Sequence, residues 1–302
     1  MRRIFFFLFL FLAGCHIERV EKVVMSDHPV FFSEIESKIP VYWQVELEDD
    51  WNRQKHVIVM NEFGYLETGE LDDEALRTLA RELASSIDTP MVPAKRGEDG
   101  RLLPGSPRVI LNEAAFVEKL KNLPPGTETM KLPIETTEPN VEEADLAHID
   151  ERIIGSFTTT FNPSVTGRAH NIYLSAREIN NVVLGPGDTF SFNAVVGERT
   201  KERGYQEALE IVNQQFVVGI GGGICQTSST LFNAVDEAGL EIIERYTHSR
   251  DVGYVAKGRD ATVSWGGPDF RFKNPHSYPV LIRANVDKVN GEITVTVHTY
   301  EN

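Results

Sequence analysis

The sequence predicts an α+β protein: a β-rich C-terminal domain with a Gly-rich loop leading into a central helix, preceded by a smaller α+β domain. Three observations predict it. Short strand-like segments crowd the end of the chain, at 242–246, 261–265, 280–285 and 293–299. Gly221-Gly222-Gly223 runs straight into a segment that places Leu231, Ala234, Val235 and Ala238 on one helical face. A Glu-, Thr- and Pro-rich stretch at 135–145 separates this half from an earlier one with helix and strand patterns of its own.

The first residues stand outside the fold. Arg2 and Arg3 precede an apolar run at 4–12, and Leu12-Ala13-Gly14-Cys15 follows. The run is shorter than the ~20 residues a membrane-spanning helix needs, and it has the size of a signal-peptide core. Small residues just before a cysteine at this place resemble the bacterial lipobox. That resemblance implies a signal peptide at 1–14, lipidation of Cys15 and a tether at 15–40. The alternative is an ordinary signal peptide with a chance cysteine. The expected location is outside the cell membrane, held by lipid. His16 provides no Asp retention signal, which points to the outer membrane in a two-membrane cell. With Cys15 taken by lipid, Cys225 has no partner for an intramolecular disulfide. A lone thiol in an oxidising compartment is either buried and inert or kept for its reactivity.

The small domain is expected over 41–134. Val41, Trp43, Val45 and Leu47 alternate as one face of a strand, and 56–60 reads as another. Asp72 is placed to cap a helix whose apolar face is Leu76, Leu79, Ala80 and Leu83. Asn112 is placed to cap a second, packed through Phe116, Val117 and Leu120. Each helix follows a glycine-containing turn and precedes a strand-like segment. This is either an internal repeat or a coincidence of two ordinary α+β segments. A linker is expected at 135–148, and the larger domain at 149–302. In the latter, 169–179 is helical through Ile172, Ala176 and Ile179, and Pro186-Gly187 is a turn. Phe190-Ser191-Phe192, 209–212 and 216–218 read as strands, and 227–238 as the central helix, with Gly239 as its terminating glycine. Asn290-Gly291 marks a hairpin between the last two strands.

The chemistry gathers at 221–231. Three glycines allow a sharp turn and a close approach to a ligand. Cys225 then falls at or just before a helix N-terminus, where free N–H groups and the helix dipole favour a thiolate and could form an oxyanion hole. Gly222, Gly223, Gln226, Ser228 and Ser229 are the neighbours expected to touch a substrate. The competing reading is a structural cysteine under a glycine-rich turn. A thiolate nucleophile needs a base, and His248, after the next strand, is the best placed of the histidines; Asp260 is placed to orient its imidazole. His148, His170, His276 and His298 stand isolated near a linker, a helix start or a strand end. One cysteine and scattered histidines give no metal-ligand spacing, and the glycine run lacks the Lys-Ser/Thr of a phosphate loop. No metal or cofactor is expected. The chain carries 45 acidic against 30 basic residues, a net charge of −15, which argues against nucleic acid as a partner.

From about residue 153 onward the chain resembles the VanW domain family, named after an accessory gene of some glycopeptide-resistance clusters. The landmarks are Asn171-Ile172, Leu184-Gly185-Pro186-Gly187-Asp188-Thr189-Phe190-Ser191-Phe192-Asn193, Val196-Gly197-Glu198-Arg199-Thr200 and Gly204-Tyr205. The glycine–cysteine segment, Glu244-Arg245, His248-Ser249, Asp260-Ala261-Thr262-Val263 and Phe272-Lys273-Asn274 complete them. One departure is Asn213-Gln214-Gln215-Phe216, which lacks a glycine common in the family. The region before 135 resembles, in outline only, the peptidoglycan-binding domain that often precedes this family.

The resemblance implies a cell-envelope protein with peptidoglycan as its partner. Some VanW domains have L,D-transpeptidase activity with the motif cysteine as nucleophile. By similarity Cys225 would be that nucleophile and His248 its base. A guanidinium pairs well with carboxylates, so Arg199 is either a site for a stem-peptide carboxylate or half of a structural ion pair. Three functions fit: cysteine acyl transfer on stem peptides, non-catalytic binding of peptidoglycan or a partner linked to glycopeptide resistance, and a cysteine peptidase.

Overall fold

The computed structural model describes residues 42–65, 70–212 and 215–300, which fall in one compact unit. The signal peptide, Cys15 and the tether lie outside the described residues. In chain order the first elements are β1 (Gln44–Asp49), β2 (Gln54–Val59), α1 (Asp73–Ile87), β3 (Ala94–Arg96), β4 (Leu102–Leu103), β5 (Arg108–Leu111), α2 (Glu113–Lys121), β6 (Thr129–Lys131) and β7 (Ile134–Thr137). Then come β8 (Arg152–Thr160), α3 (Thr166–Ile179), β9 (Val182–Leu184), β10 (Thr189–Ser191), α4 (Phe192–Val196), β11 (Glu207–Val212), β12 (Gln215–Ile220) and α5 (Ile224–Glu237). The last are β13 (Glu241–Glu244), β14 (Arg271–Lys273), β15 (Val280–Asp287) and β16 (Glu292–Thr299). The molecule is α+β, as expected.

Among the described residues two large apolar cores form, beside two smaller clusters. The first gathers Trp43, just before β1, and Val45 and Leu47 of β1 with Leu76, Ala80 and Leu83 of α1 and Phe116 and Leu120 of α2. Alternation in β1 and the helical stripes on α1 and α2 point all of these inward. Asp72 caps α1, accepting from the N–H groups of Glu74 and Ala75, and Asn112 caps α2 through Ala115 N–H. The second core surrounds α5, with Leu231, Phe232, Ala234 and Val235 packed among Phe190, Phe270, Phe272, Val280, Ile282, Val295 and Val297.

A six-stranded sheet in the order β4-β3-β9-β15-β16-β8 carries this second core. α5 packs on β8 and β16, and α3 packs on β15. The hairpin β3–β4, from the first half of the sequence, pairs into this sheet through Ala94 and Lys95 against Val183 and Val182. Part of the expected linker is a strand as well: β7 runs antiparallel to β5, Leu111 opposite Ile134.

Three local expectations need correction. Residues 261–265 do not form a strand; they make a single bridge, Thr262 to Tyr246. Phe192 opens α4 instead of extending β10. The central helix begins at Ile224, so Cys225 lies inside its first turn. Gly239, at φ 75°, does terminate it, with Leu240 N–H returning to Val235 O.

Candidate active site

The site is built around the N-terminus of α5. Gly223 is its N-cap, at φ 109°, a conformation that other residues adopt at a cost. A Cβ on Gly223 would stand 2.9 Å from Arg168 Cγ, and one on Gly222 would stand 2.6 Å from Leu209 O. These glycines permit a close approach to the protein's own α3 and β11. No side chain caps the helix. As the second helical residue, Cys225 has an N–H without an acceptor one turn back inside the helix.

Cys225 is a free, half-buried thiol. Its Sγ–H donates to Val263 O at 3.4 Å. His248 lies near enough to the same sulfur for the two to interact electrostatically. On its other side, His248 Nδ1 hydrogen-bonds with Asp260 Oδ2 at 2.6 Å, and the His248 backbone N–H donates to that oxygen at 2.6 Å. With Nδ1 engaged by the carboxylate, Nε2 is the nitrogen left for the sulfur. Both side chains are almost closed to solvent, 7% exposed for His248 and 9% for Asp260. Burial pulls the His248 pKa down. Hydrogen bonding and charge pairing with Cys225, and then with Asp260, push it up, and the net direction is above its ordinary 6.5. The charged imidazolium is therefore favoured at this position, between the Cys225 sulfur and the Asp260 carboxylate.

The polar face of α5 explains how three residues distant in sequence meet. Gln226, Thr227, Ser228, Ser229, Thr230 and Asn233 are all buried. Ser228 Oγ donates to Ala261 O at 2.6 Å, and Ser229 Oγ accepts from Ala261 N–H at 2.9 Å while donating to Cys225 O at 2.6 Å. Asn233 Nδ2 donates to Arg259 O at 2.8 Å. These bonds clamp 259–261 along the helix, which fixes Asp260. Arg245 Nη1 holds the same segment from the strand side, donating to Asp260 O at 2.7 Å.

The sequence-predicted residues separate accordingly. Cys225, His248 and Asp260 come together. Ser228 and Ser229 spend their hydroxyls on the clamp. Gln226 spends its amide on Thr159 Oγ1, Thr160 O and Arg168, at 3.0, 2.9 and 2.7 Å. Gly222 O accepts from Asn171 Nδ2 at 3.0 Å. These groups hydrogen-bond within the protein. The other histidines are engaged elsewhere: His148 with Glu151, His170 with Gly204 O, His276 with Ala238 O, and His298 with Thr296 and Asp150 O.

Sequence reasoning missed two residues near the thiol, Arg168 and Tyr254, and one near Arg199, Tyr205. Arg168, in the first turn of α3, lies over the Tyr254 ring at 5.9 Å. Tyr254 hydrogen-bonds with Ser229, and burial first, then the charge of Cys225, pushes its pKa up. Tyr205 lies close to Arg199 in electrostatic terms, and burial raises its pKa. Burial lowers the pKa of both guanidiniums, while Tyr254 and Cys225 oppose it for Arg168, and Tyr205 and Cys225 for Arg199. Arg199 itself lies against Phe192, 5.6 Å to the ring centroid. An aromatic residue in the polar loop between His248 and Asp260 was a readable hint for Tyr254. Nothing local marks Arg168.

A cavity of about 660 Å³ between α1 and α2 is lined by Asp73, Arg77, Glu113 and Lys121, and another of about 230 Å³ by Thr89, Arg108, Phe190 and Arg271; neither is lined by Cys225.

A family model described as "VanW like protein" matches residues 167–298, a span that holds Arg168, Arg199, Cys225, His248 and Asp260. The "Uncharacterized protein YoaR" of Bacillus subtilis (strain 168) is 44% identical over 234 residues, 77% of each chain. The chain belongs to the VanW family. It is also similar to the "Vancomycin B-type resistance protein VanW" of Enterococcus faecalis (strain ATCC 700802 / V583), 30% identical over 133 residues. That match covers 42% of this chain and 48% of the VanW relative. No solved structure matches.

Proposed function

We propose that this VanW-family chain is a cysteine acyltransferase of the cell envelope, acting on peptidoglycan stem peptides in the manner of an L,D-transpeptidase and tethered through lipid on Cys15. The carrying observation is the relay: a nearly buried His248, held at 2.6 Å by Asp260 and in electrostatic range of the Cys225 thiol. Such an arrangement generates a nucleophile and keeps its base in one tautomer and orientation. The substrate class rests on the resemblance to VanW domains with that activity.

In this reading, Cys225 passes its proton to His248 Nε2 and the thiolate attacks the carbonyl carbon at an L-centre of a tetrapeptide stem. A C–S bond forms and the carbonyl oxygen becomes an oxyanion, which the Cys225 N–H faces. The oxyanion collapses, the C–N bond to the terminal D-residue breaks, and the leaving amine takes the proton from His248. A second stem's amine then attacks the thioester, gives a proton to His248 and displaces the thiolate, which recovers its proton. Water in place of that amine makes a peptidase.

Muropeptide profiles of cells expressing the unmutated chain and Cys225→Ala test the reading. New L,D cross-links are expected with the first alone. Identical profiles overturn catalysis and leave a binding protein, and trimmed stems without new cross-links make it a peptidase. Cys15→Ser is expected to release the protein from the membrane fraction; retention there overturns the anchor.

A further inference from the structure

Arg199 poses a problem that the relay does not solve. Both Nη1 and Nη2 are buried and have no hydrogen-bond partner, and Tyr205 Oη is in the same condition. All three can donate, and a guanidinium can only donate. Buried donors without acceptors are costly, and a buried unpaired charge is more so. The carboxylate within electrostatic range of Arg199 is Asp269. Asp269 is already occupied by Ser191 Oγ at 2.6 Å, Arg271 Nε at 2.9 Å and the N–H groups of Asn193 and Phe270. Arg168 spends one nitrogen on neutral Gln226. His248 is balanced by Asp260. Neither Arg168 nor Arg199 thus has a carboxylate to itself.

We infer that Arg199 and Tyr205 form a carboxylate subsite, so that the acyl donor must end, one residue past the attacked carbonyl, in a free carboxylate. The inference rests on Cys225 as the nucleophile and deepens that reading: the protein acts at stem-peptide ends, not within chains. A planar guanidinium matches a carboxylate in two parallel hydrogen bonds, and a phenol adds a third donor. Gly221 brings the two centres together: a Cβ there would sit 3.1 Å from Arg199 Cβ, so the arginine lies against the turn that leads to Cys225. Since both Nη atoms are closed to solvent, binding includes a side-chain rearrangement. The same exclusion of water strengthens the charge pair once it forms.

The test uses the full chain carrying Cys225→Ser, which binds without reacting. Calorimetry compares a synthetic stem tetrapeptide ending in a free carboxylate with its C-terminal carboxamide. The acid is expected to bind tighter by about tenfold or more, from hydrogen bonds to a charged group. Arg199→Gln should erase that preference and Tyr205→Phe, the gentler change should Arg199→Gln fail to fold, should reduce it. Equal affinity for acid and amide overturns the subsite, as does binding of neither, or a preference that survives both substitutions. A thioester trapped on unmutated Cys225 alongside equal binding would overturn the subsite alone and leave the nucleophile standing.

Discussion

α1 and α5 are both well-formed helices, of 15 and 14 residues, yet they begin in opposite ways. α1 opens on Asp72, whose carboxylate satisfies the N–H groups of Glu74 and Ala75. Its polar face meets solvent and forms surface ion pairs such as Arg81–Glu74 at 2.7 Å. α5 opens on Gly223 with no side-chain cap, and its polar face is buried against 259–263, α3 and β8. A capped N-terminus satisfies its own donors. An uncapped one leaves them to the backbone: Ile224 N–H donates to Gly221 O at 3.2 Å and Gln226 N–H to Gly223 O at 3.0 Å, and the thiol of Cys225 lies beside them. The comparison teaches that the stabilising signals of α1 are those α5 gives up.

The comparison can be broken most severely at Gly223. Gly223→Ala forces a Cβ into a backbone region that costs a non-glycine residue about 1–3 kcal/mol, before any clash with Arg168. A marked fall in thermal midpoint is expected, and an unchanged midpoint would mean that the turn relaxes freely. Ser229→Ala comes next. It leaves the buried Ala261 N–H without its acceptor, at about 1–3 kcal/mol, and loosens the segment that bears Asp260. Asp72→Ala should cost about 1 kcal/mol by chemical denaturation and leave the active site untouched. Any change in Cys225 reactivity with that variant would show that the two cores are coupled.

The mildest perturbation is a titration. His248 should titrate above 6.5 by NMR, and Cys225→Ser or Asp260→Asn should bring it down. The sign follows from the raised value: the imidazolium's contribution to stability is complete below the ordinary pKa and is lost as pH rises through the raised one. A His248 pKa at or below 6.5 in the unmutated chain would contradict the relay.

Legibility in the sequence followed the same division. α1, α2 and β1 could be read because their apolar stripes and caps are local, and Asn290-Gly291 marked the β15–β16 hairpin. β8 was missed because Arg152-Ile153-Ile154-Gly155-Ser156-Phe157 does not alternate cleanly; its run of β-branched residues was the available signal. β9 has only three residues, all buried, too few to show a period. Cys225, His248 and Asp260 were legible as candidates. The purpose of Ser228, Ser229 and Gln226 was not, since a hydroxyl aimed at a substrate and one clamping a distant backbone look alike in one dimension. Arg168 and Arg199 reach the thiol only through tertiary packing, from 57 and 26 residues away in sequence.

The most direct test of the central claim is covalent. The full chain is mixed with a synthetic stem tetrapeptide and quenched in acid, and the peptide containing Cys225 is weighed by mass spectrometry. The relay predicts an acyl thioester on Cys225, strongly reduced in His248→Ala and absent in Cys225→Ala. A tetrapeptide that binds but leaves Cys225 unmodified, or an acyl group found on another residue, would contradict it.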